Sequence, residues 1–402
     1  MKILQINSVC GRGSTGRIVL EIHEQLTKQG HESYIAYGRT PSSCQEAIRI
    51  GNNIDIYTHV LKTRLFDLHG FGSKNATKQF LKKIDKINPD IIHLHNIHGY
   101  YINIQLLFEY IKEKEKPVVW TLHDCWAFTG HCSHFEFVGC YKWKTTCNNC
   151  PQKDRYPRSW LLDNSKRNWE RKKELFTNVK KMILITPSKW LAELVKESFL
   201  KEYQVEVIPN TIDTNIFKPM HSDFRKRYKL EEKFIILGVA NVWEERKGLK
   251  HFIELSKMIK PDEVIVLVGL NKKQVKELKK YGIIGIERTN SAEELAQIYT
   301  AADVFVNPTL EENYPTVNLE AQACGTFVIT FNSGGAKETI QNKSSGIVIN
   351  EKSTEAILLS IQKLRSEKST IKQHINKNNF QSKKSIEKII NIYLSILNDT
   401  NN

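Results

Sequence analysis

The chain has 402 residues, 40% of them hydrophobic and 26% charged, which is the length and composition of a globular protein with two domains. Its apolar runs are far too short to span a bilayer, and its first residues, MKILQIN, predict a buried strand and not a signal peptide. We therefore expect a cytoplasmic protein, in which eight cysteines indicate a metal site before they indicate disulfides.

The net charge of +15 is compatible with nucleic acid, an anionic membrane surface or a pyrophosphate-bearing substrate as a partner. A generally lysine-rich composition explains it equally well, because net charge bears on solubility and association and not on fold. No nucleic-acid-binding motif accompanies the charge, so nucleic acid is not expected as a partner.

Strands and helices alternate in the first half of the chain. Strands are predicted at residues 2–7, 33–37, 90–95, 117–123 and 183–186, and helices at residues 15–29 and 190–199. This alternation predicts an α/β fold with a doubly wound parallel sheet, in which ligands bind at the C-terminal ends of the strands.

The second half repeats the pattern. Strands are predicted at residues 234–240, 264–270, 282–287, 304–307 and 327–331, and helices at residues 249–259 and 292–299. Residues 206–219, rich in turn formers, predict a linker, so we expect an N-terminal domain at 1–205, with a cysteine-rich insertion at 125–160, and a C-terminal domain at 206–381.

The last segment, residues 382–402, predicts a helix with one apolar face. That face consists of Ile386, Ile389, Ile390, Tyr393 and Leu397. We expect this helix to pack back on the first domain, because no neighbouring element in sequence offers it a partner.

A glycine-rich turn at residues 11–16 (GRGSTG) joins the first strand to the first helix, as a phosphate-binding loop would. A dinucleotide site also needs an acid at the end of the second strand, which here ends Ala-Tyr-Gly-Arg, and a P-loop needs a lysine after the glycines. Both sites are disfavoured. A tight turn without any ligand is the other interpretation of this segment.

Residues 62–86 mix basic and apolar side chains, as a surface that contacts anionic lipid does. The ordinary alternative is a solvated helix whose apolar side faces the core. The basic members are Lys62, Arg64, Lys74, Lys78, Lys82, Lys83 and Lys86, and the apolar ones within or beside the segment are Leu61, Leu65, Phe66, Leu68 and Phe71.

His123 and Asp124 end a predicted strand, where a histidine is as often a buried structural residue as a functional one. We expect Asp124 to orient or cap groups locally. Shortly after them, Cys132, Cys140, Cys147 and Cys150 fall within 19 residues, with His131 and His134 as further candidates. The Cys-x-x-Cys spacing of the last pair favours a structural zinc site, and four reduced cysteines in a loop are the alternative.

Lys247 and Gly248 follow the first strand of the second domain, at the predicted start of a helix. A lysine there can neutralise a departing diphosphate, whereas a Lys-Gly pair alone would be a solvated helix start.

The stretch at residues 307–338 carries two glutamates, Glu312 and Glu320, with Asn313-Tyr-Pro between them. A helix that begins near residues 315–316 leaves Glu312 just before it and Glu320 about one turn inside. The free N–H groups and positive dipole of that end suit a phosphate or a polarised sugar oxygen. Two carboxylates beside an anion-binding helix end indicate a nucleotide sugar as ligand.

Together these motifs resemble the retaining glycosyltransferase family 4, and the order of motifs along most of the chain agrees. The glutamate pair followed by AQACG, the glycine loop, DIIHLHN, PNTID, Lys247–Gly248 and GGAKE all occur in family order. The stretch TLHDCWAFTGHC is similar to a subgroup of colanic acid and capsular polysaccharide glycosyltransferases. The resemblance implies the GT-B fold, two Rossmann-like domains facing across a cleft, with the donor bound mainly by the second and the acceptor by the first.

The resemblance also implies roles for individual residues. Lys247 would hold the donor diphosphate, Glu312 the sugar hydroxyls and Glu320 the ribose, and His123 would contact the donor sugar. The other donor-binding positions would be Gly13, Ser14, Arg246, Tyr314, Pro315, Thr316 and Val317. Family members usually carry an arginine five or six residues before the lysine, where this chain has Val242 and Asn241, and Arg246 would supply the missing charge.

By the same resemblance, the protein transfers a sugar from a UDP- or GDP-linked donor, with retention and without a catalytic cofactor or divalent metal. The acceptor would be a polyprenyl-diphosphate-linked glycan of a bacterial surface polysaccharide, approached from the cytoplasmic face of the membrane. A nucleotide-sugar 2-epimerase of similar fold is the alternative enzyme, and a basic nucleic-acid-binding protein is the alternative outside enzymes.

Overall fold

The computed structural model divides into two compact units, Met1–Pro209 with Lys383–Asn402, and Asn210–Ser382. We call them the N-terminal unit and the C-terminal unit. The structure describes residues 1–40, 42, 44, 46–367 and 382–398. Within these residues, no helix is long and apolar enough to cross a membrane.

The N-terminal unit is built on a seven-stranded, wholly parallel sheet with the order β3-β2-β1-β4-β5-β6-β7. Helices connect the successive strands, as parallel pairing favours, except that β2 leads to β3 through residues 38–46 without a helix among the described residues. The strands are β1 (Lys2–Asn7), β2 (Glu32–Tyr37), β3 (Ala47–Arg49), β4 (Ile91–Leu94), β5 (Val118–Thr121), β6 (Met182–Thr186) and β7 (Gln204–Val207). The helices are α1 (Gly13–Lys28), α2 (Asn53–Phe66), α3 (Lys74–Ile87), α4 (Ile104–Glu113), α5 (Ser165–Phe176) and α6 (Lys189–Lys196).

The C-terminal unit is built on a six-stranded parallel sheet with the order β10-β9-β8-β11-β12-β13. Its strands are β8 (Phe234–Val239), β9 (Glu263–Val268), β10 (Ile284–Ile286), β11 (Val304–Asn307), β12 (Phe327–Phe331) and β13 (Gly346–Ile349). Its helices are α7 (Phe224–Tyr228), α8 (Leu249–Leu255), α9 (Lys272–Leu278), α10 (Ala292–Ala301), α11 (Thr316–Ala323) and α12 (Thr354–Ser366). The two sheets with interleaved helices confirm the doubly wound α/β prediction.

Every strand predicted from sequence is present, with ends shifted by a few residues at most. Three further strands, β3, β7 and β13, were not predicted, and each is short and lies at the edge of a sheet. An edge strand pairs on one side only, so its burial, and with it the apolar signal in the sequence, is weaker. Strand β7 occupies the first two residues of the segment predicted as a linker.

The last helix, α13 (Ser382–Asn398), covers one side of the N-terminal sheet. Its buried side chains pack on Ile3, Ile91 and Val119 from three neighbouring strands. Tyr393 is fully buried, and its hydroxyl lies 2.6 Å from Nδ1 of His93 in β4. The buried face consists of Ile386, Ile389, Ile390, Tyr393 and Ile396, while Leu397, predicted for this face, is only partly buried.

The basic and apolar segment at residues 62–86 covers the end of α2 and all of α3. Helix α3 is an ordinary amphipathic helix, since Phe80 and Ile84 are buried and its lysines are exposed. Phe71 is also buried, and Leu68 packs on the core. Helix α2 is different, because Ile54, Tyr57, Leu61 and Phe66 on it are all exposed.

Candidate active site

A tight turn positions Lys247 in the C-terminal unit. It consists of a 3-10 turn at Glu245–Lys247, followed by Gly248 with φ +75° at the start of α8. A Cβ atom on Gly248 would lie 2.2 Å from the carbonyl oxygen of Pro308, a distance that no side chain tolerates. The N–H of Leu310 donates to the carbonyl of Arg246 over 2.7 Å, so the turn lies directly against the loop after β11.

The ammonium of Lys247 forms a close ion pair with Oε2 of Glu312. The two side chains are 22% and 18% exposed, so the pair is largely shielded but still reaches solvent. Sequence analysis placed both residues at the site separately, and the structure brings them into direct contact. An acid and a base held together at a solvent boundary can each exchange partners when a charged, hydroxyl-rich ligand binds.

Two nitrogens of the Arg246 side chain differ in their contacts. Its Nε lies 3.3 Å from Oε2 of Glu244, whereas its Nη1 is buried without a hydrogen-bond partner among the described residues. A buried donor without a partner costs about 1–3 kcal/mol, which an anionic ligand would recover. Val242, one of the two positions where the resemblance implies an arginine, is 60% exposed and offers no charge.

Helix α11 begins after Pro315, and no side chain caps its first turn. Its start and the carboxylates therefore have the predicted arrangement: Glu312 precedes the helix, and Glu320 lies on its second turn. The carbonyl of Glu312 accepts the N–H of Gly335 over 3.1 Å. This bond connects the loop after β11, which carries Glu312, to the glycine pair Gly334–Gly335. Glu320 is only 1% exposed, and its Oε2 accepts the Tyr299 hydroxyl over 3.2 Å.

A chain of buried amides beneath this helix was not found from sequence. The Asn307 amide donates to Oδ1 of Asn318 over 2.8 Å, and the Asn318 amide donates to the Thr339 hydroxyl over 2.8 Å. Gln322 then donates to the carbonyls of Asn318 and Thr339. These bonds fix α11 to the end of β11 and to the turn after the glycine pair. The only sequence signal is an unusual density of polar residues in an otherwise buried helix.

In the N-terminal unit, the glycine turn follows β1 at its C-terminal end, and its residues 11–13 are exposed while Gly16 is buried. Gly11 and Gly13 have φ values of +70° and +64°, and the N–H of Gly11 donates to the carbonyl of Gly16 over 3.0 Å. Helix α1 begins at Gly13, so Ser14 lies in its first turn. The turn has the backbone shape that glycine permits and presents first-turn N–H groups toward solvent.

His123 follows β5, and its Nε2 lies 3.2 Å from Nδ1 of His95, with the two rings stacked. Burial lowers the pKa of His123 to about 4, although the Asp124 charge acts in the opposite direction. The imidazole is therefore neutral near pH 7, and it can serve as a hydrogen-bonding group without carrying charge.

Asp124 caps its own turn, as expected, by accepting the N–H of Trp126 over 2.9 Å. Its other oxygen lies 2.9 Å from Nε2 of His98, and Nδ1 of His98 lies 3.2 Å from the hydroxyl of Tyr156. Burial alone would raise the pKa of Asp124, but the charge and hydrogen bond of His98 lower it well below its usual range. Sequence analysis missed His98 and Tyr156, because only the fold brings them to Asp124.

The four cysteines at 132–150 lie together. All four line one cavity, with His131, Phe135 and Trp143 among its other walls. Phe135 and Phe128 pack on Trp143 at ring distances of 5.0 and 4.9 Å, so this region has an aromatic core of its own. In the described part of the chain, one group of three possible metal ligands has donor atoms that all lie within 4.8 Å of one another. This group consists of His23, Cys44 and Glu46 and is separate from the four cysteines.

Comparison with known proteins agrees with this geometry. Residues 15–216 match the family model "Glycosyltransferase Family 4", and residues 221–382 match "Glycosyl transferases group 1". The parallel sheets, the lysine turn and glutamate loop at their strand ends, and the two family matches together define a glycosyltransferase of GT-B fold. The chain belongs to glycosyltransferase family 4.

Relatives with assigned names include glycosyltransferases of colanic acid biosynthesis and of undecaprenol-linked sugars. The chain is 25% identical, over 90% of both chains, to the putative colanic acid biosynthesis glycosyl transferase WcaC of Escherichia coli K12. It is 27% identical, over 43% of its own length and 50% of the relative's, to N,N'-diacetylbacillosaminyl-diphospho-undecaprenol alpha-1,3-N-acetylgalactosaminyltransferase of Campylobacter jejuni. Among solved structures, Anabaena Alr3699/HepE in complex with UDP superposes with a TM-score of 0.67 and 15% identity, covering 98% of this chain and 100% of that one.

Proposed function

We propose that this protein is a retaining glycosyltransferase that moves a sugar from a UDP- or GDP-linked donor to a glycan carried on a polyprenyl diphosphate. The observation that carries the proposal is the ion pair of Lys247 and Glu312 beside the uncapped start of α11. It brings together, from two adjoining loops, a cation, a carboxylate and the backbone N–H groups of a helix start, which are the groups that a nucleotide sugar requires.

The positive groups would stabilise the departing nucleoside diphosphate. Lys247 and the buried Nη1 of Arg246 supply charge. The amide of Tyr314, just before the helix, and the first-turn amides of Thr316 and Val317 supply N–H donors, with Pro315 fixing the start of the helix. Negative charge develops on the diphosphate as the glycosidic bond breaks, so these fixed groups bind the transition state more tightly than the donor. We expect transfer without a divalent cation, because this cluster already supplies positive charge.

The two glutamates would hold the sugar and the nucleoside. On donor binding, Glu312 would exchange the Lys247 ammonium for sugar hydroxyls, leaving the lysine to the diphosphate. Glu320 would receive the ribose hydroxyls, and its bond to Tyr299 holds its carboxylate in place for this contact. A carboxylate that accepts two ribose hydroxyls gains charge-assisted hydrogen bonds.

The N-terminal unit would contribute hydrogen-bonding groups and the acceptor site. Neutral His123 would contact the donor sugar, and the turn with Gly13 and Ser14 would approach the diphosphate. Asp124 and His98, with the Tyr156 hydroxyl on the far nitrogen, form a polar chain that would receive the acceptor hydroxyl. An acceptor hydroxyl needs such a partner to be oriented for attack.

A lipid-linked acceptor agrees with an exposed apolar surface on the N-terminal unit. We define the α2 patch as the exposed side chains of Ile54, Tyr57, Leu61 and Phe66 on α2, with Trp160, Leu161 and Leu162 beside it. The N–H of Trp160 donates to the carbonyl of Arg64 over 2.6 Å, so the loop and the helix form one surface. Lys62, Arg64 and Arg158 add positive charge at its border. A surface of this kind binds an anionic bilayer.

Vesicle sedimentation tests the α2 patch. The protein is expected to bind phosphatidylglycerol vesicles and to bind phosphatidylcholine vesicles much more weakly, because both charge and apolar contact contribute. Exchanging Trp160 and Leu161 for serine should lower binding at least tenfold. The matched control is Leu359→Ser, since Leu359 is 64% exposed in the C-terminal unit. Equal binding by the double variant and the control would overturn the membrane proposal.

The experiment that tests the function is a screen of UDP- and GDP-sugars for thermal stabilisation and turnover, with and without a polyprenyl-diphosphate-linked sugar. Stabilisation by one donor, with transfer only when acceptor is present, supports the proposal, and the anomeric configuration of the product tests retention. Conversion of donor without acceptor would favour the 2-epimerase, and indifference to every nucleotide sugar would reject the proposed site.

A further inference from the structure

The cysteine cavity in the N-terminal unit contains more than thiols. Cys132 is buried and shares a hydrogen bond with Cys150, and Sγ of Cys147 accepts the N–H of Gly130 over 3.2 Å. Backbone N–H groups that point at a cysteine sulfur favour its thiolate form, which is the form that binds metal.

His131 is the second, independent feature of this cavity. Its side chain is fully buried, and its Nδ1 lies 2.6 Å from Oδ1 of Asp67, which is also fully buried. Its Nε2 lacks any hydrogen-bond partner in the described part of the chain, although the residue lines the same cavity as the cysteines. A histidine that gives one nitrogen to a carboxylate and leaves the other free inside a thiol-lined cavity has the arrangement of a metal ligand.

The Asp67 carboxylate is itself held in place. Its other oxygen, Oδ2, accepts the N–H of Asn164 over 3.0 Å. The backbone carbonyl of Asp67 accepts the side-chain amide of Asn168 over 2.6 Å. Since Asp67 lies 64 residues before His131, this network links the end of α2 to the cysteine region. The orientation of the imidazole is therefore fixed by the fold and not by the loop alone.

Lys172 adds a buried positive charge beside the cavity. Its ammonium donates to the carbonyls of Trp126 and Thr129 over 2.8 and 3.0 Å and lies 3.4 Å from the centre of the Trp126 ring. Both of these acceptors are neutral carbonyl groups, and a buried cation is costly without an opposing charge nearby. Three thiolates and one zinc ion carry a net charge of −1, which would balance this lysine.

We propose that the cavity binds a structural zinc ion through Cys132, Cys147, Cys150 and Nε2 of His131. In this set His131, whose side chain is fully buried, takes the place of Cys140, which lines the cavity and is half-buried like Cys147 and Cys150. Tetrahedral coordination places each sulfur about 2.3 Å from zinc, so the donor atoms must draw closer together than they are here. Residues 129–164 can close in this way, because they contain a single 3-10 turn and no longer element.

The site would brace the part of the chain that carries functional groups. Tyr156, which contacts His98, and Trp160 and Leu161 of the α2 patch follow Cys150 by 6, 10 and 11 positions. Zinc binding contributes directly to folding free energy when the ligands come from an irregular segment. The role is structural, so this inference is independent of the proposed transfer reaction.

The test is the metal content of the full chain, purified under reducing conditions without chelator or affinity tag, measured by plasma mass spectrometry. About one zinc per chain is expected, and Cys147→Ser and His131→Gln should each lower that content at least tenfold. Cys140→Ser and Cys44→Ser should retain the zinc. Cys44→Ser is the control for the other group of possible ligands, His23, Cys44 and Glu46, which is not part of this site.

Cobalt substitution distinguishes the loss of a metal ligand from the loss of metal that results from misfolding of a variant. Cobalt(II) bound to the wild-type chain should show thiolate charge-transfer bands with intensities for three sulfur ligands, and Cys140→Ser should leave them unchanged. A reduced, folded wild-type chain with less than about a tenth of a metal ion would overturn the proposal. So would loss of metal in Cys140→Ser together with retention in His131→Gln.

Discussion

Lys247 and Glu312 show at the scale of single residues how the site is assembled. They are 65 positions apart in sequence, and each follows a strand of the same parallel sheet. In the absence of donor each neutralises the other, which avoids leaving a half-buried charge unpaired. The same pairing keeps both side chains extended toward the position where the diphosphate and the sugar would lie.

Replacing Lys247 by alanine should lower turnover by about 10²–10³-fold, because one fixed electrostatic contact to the leaving group is lost. Initial rates with the donor identified by the screen measure the effect, and the melting temperature reports whether the fold survives. Lys250→Ala is the matched control, since Lys250 is an exposed lysine on α8 three positions away. Turnover within twofold of wild type in Lys247→Ala would reject the role of this lysine.

At the scale of elements, the turn before α8 and the loop after β11 are fixed to each other by backbone contacts. Gly248 allows them to touch, because it has a positive φ and no side chain at the contact with Pro308. The bond from Leu310 to Arg246 then fixes the spacing between the lysine turn and the glutamate loop. The geometry of the ion pair therefore depends on a residue that belongs to neither partner of the pair.

Gly248→Ala should destabilise the C-terminal unit by about 2–4 kcal/mol, the sum of left-handed strain and a contact that backbone must move to relieve. Gly282→Ala is the control, because Gly282 has φ +70° but nothing within 4 Å of its added Cβ, so only about 1 kcal/mol of strain applies. Urea unfolding followed by Trp243 fluorescence, in a background where the other tryptophans are replaced by phenylalanine, measures both. Equal losses in the two variants would contradict the contact argument.

At the scale of the whole molecule, the N-terminal unit buries an unusual set of neutral histidines. Burial lowers the pKa of His59 and of His93 to about 3 and that of His123 to about 4. His59 shows why, since its Nε2 accepts the N–H groups of both Gly70 and Gly72 and cannot hold a proton while doing so. In the unfolded chain these groups would titrate near 6.5.

The sign of the pH effect follows from these pKa values. Below about pH 6.5 the unfolded chain binds protons that the folded unit does not, so stability falls as pH decreases. Between pH 7.5 and 5.5 each of the three histidines should cost about 1 kcal/mol, or about 3–4 kcal/mol together. In the metal-free chain His131, whose pKa is raised by Asp67 against the effect of burial, contributes in the opposite direction but is a single group.

Denaturant unfolding at a series of pH values tests this expectation. Six of the seven tryptophans precede residue 210, so fluorescence reports mainly on the N-terminal unit. His59→Gln removes one titrating group and should flatten the dependence by up to one proton. A free energy of unfolding that stays constant from pH 7.5 to 5.5 would show that these histidines are not neutral in the folded protein.

The sequence by itself determined the fold class and the chemistry at the strand ends. Alternating apolar runs and helical patterns predicted two parallel sheets, and the motif around Glu312 and Glu320 predicted where α11 begins. These features are local, since a strand, a helix start and a turn each depend on residues close together in the chain. For the same reason the lysine and glutamate loops could be placed at one edge of one sheet.

Only the tertiary structure decided which side chains meet. The ion pair of Lys247 with Glu312, the contact of His98 with Asp124, and the bond of His131 to Asp67 join residues 65, 26 and 64 positions apart. The edge strands β3, β7 and β13 likewise left little signal. Such contacts depend on the path of the whole backbone and on which groups are withdrawn from water together, and no local pattern of residues encodes either.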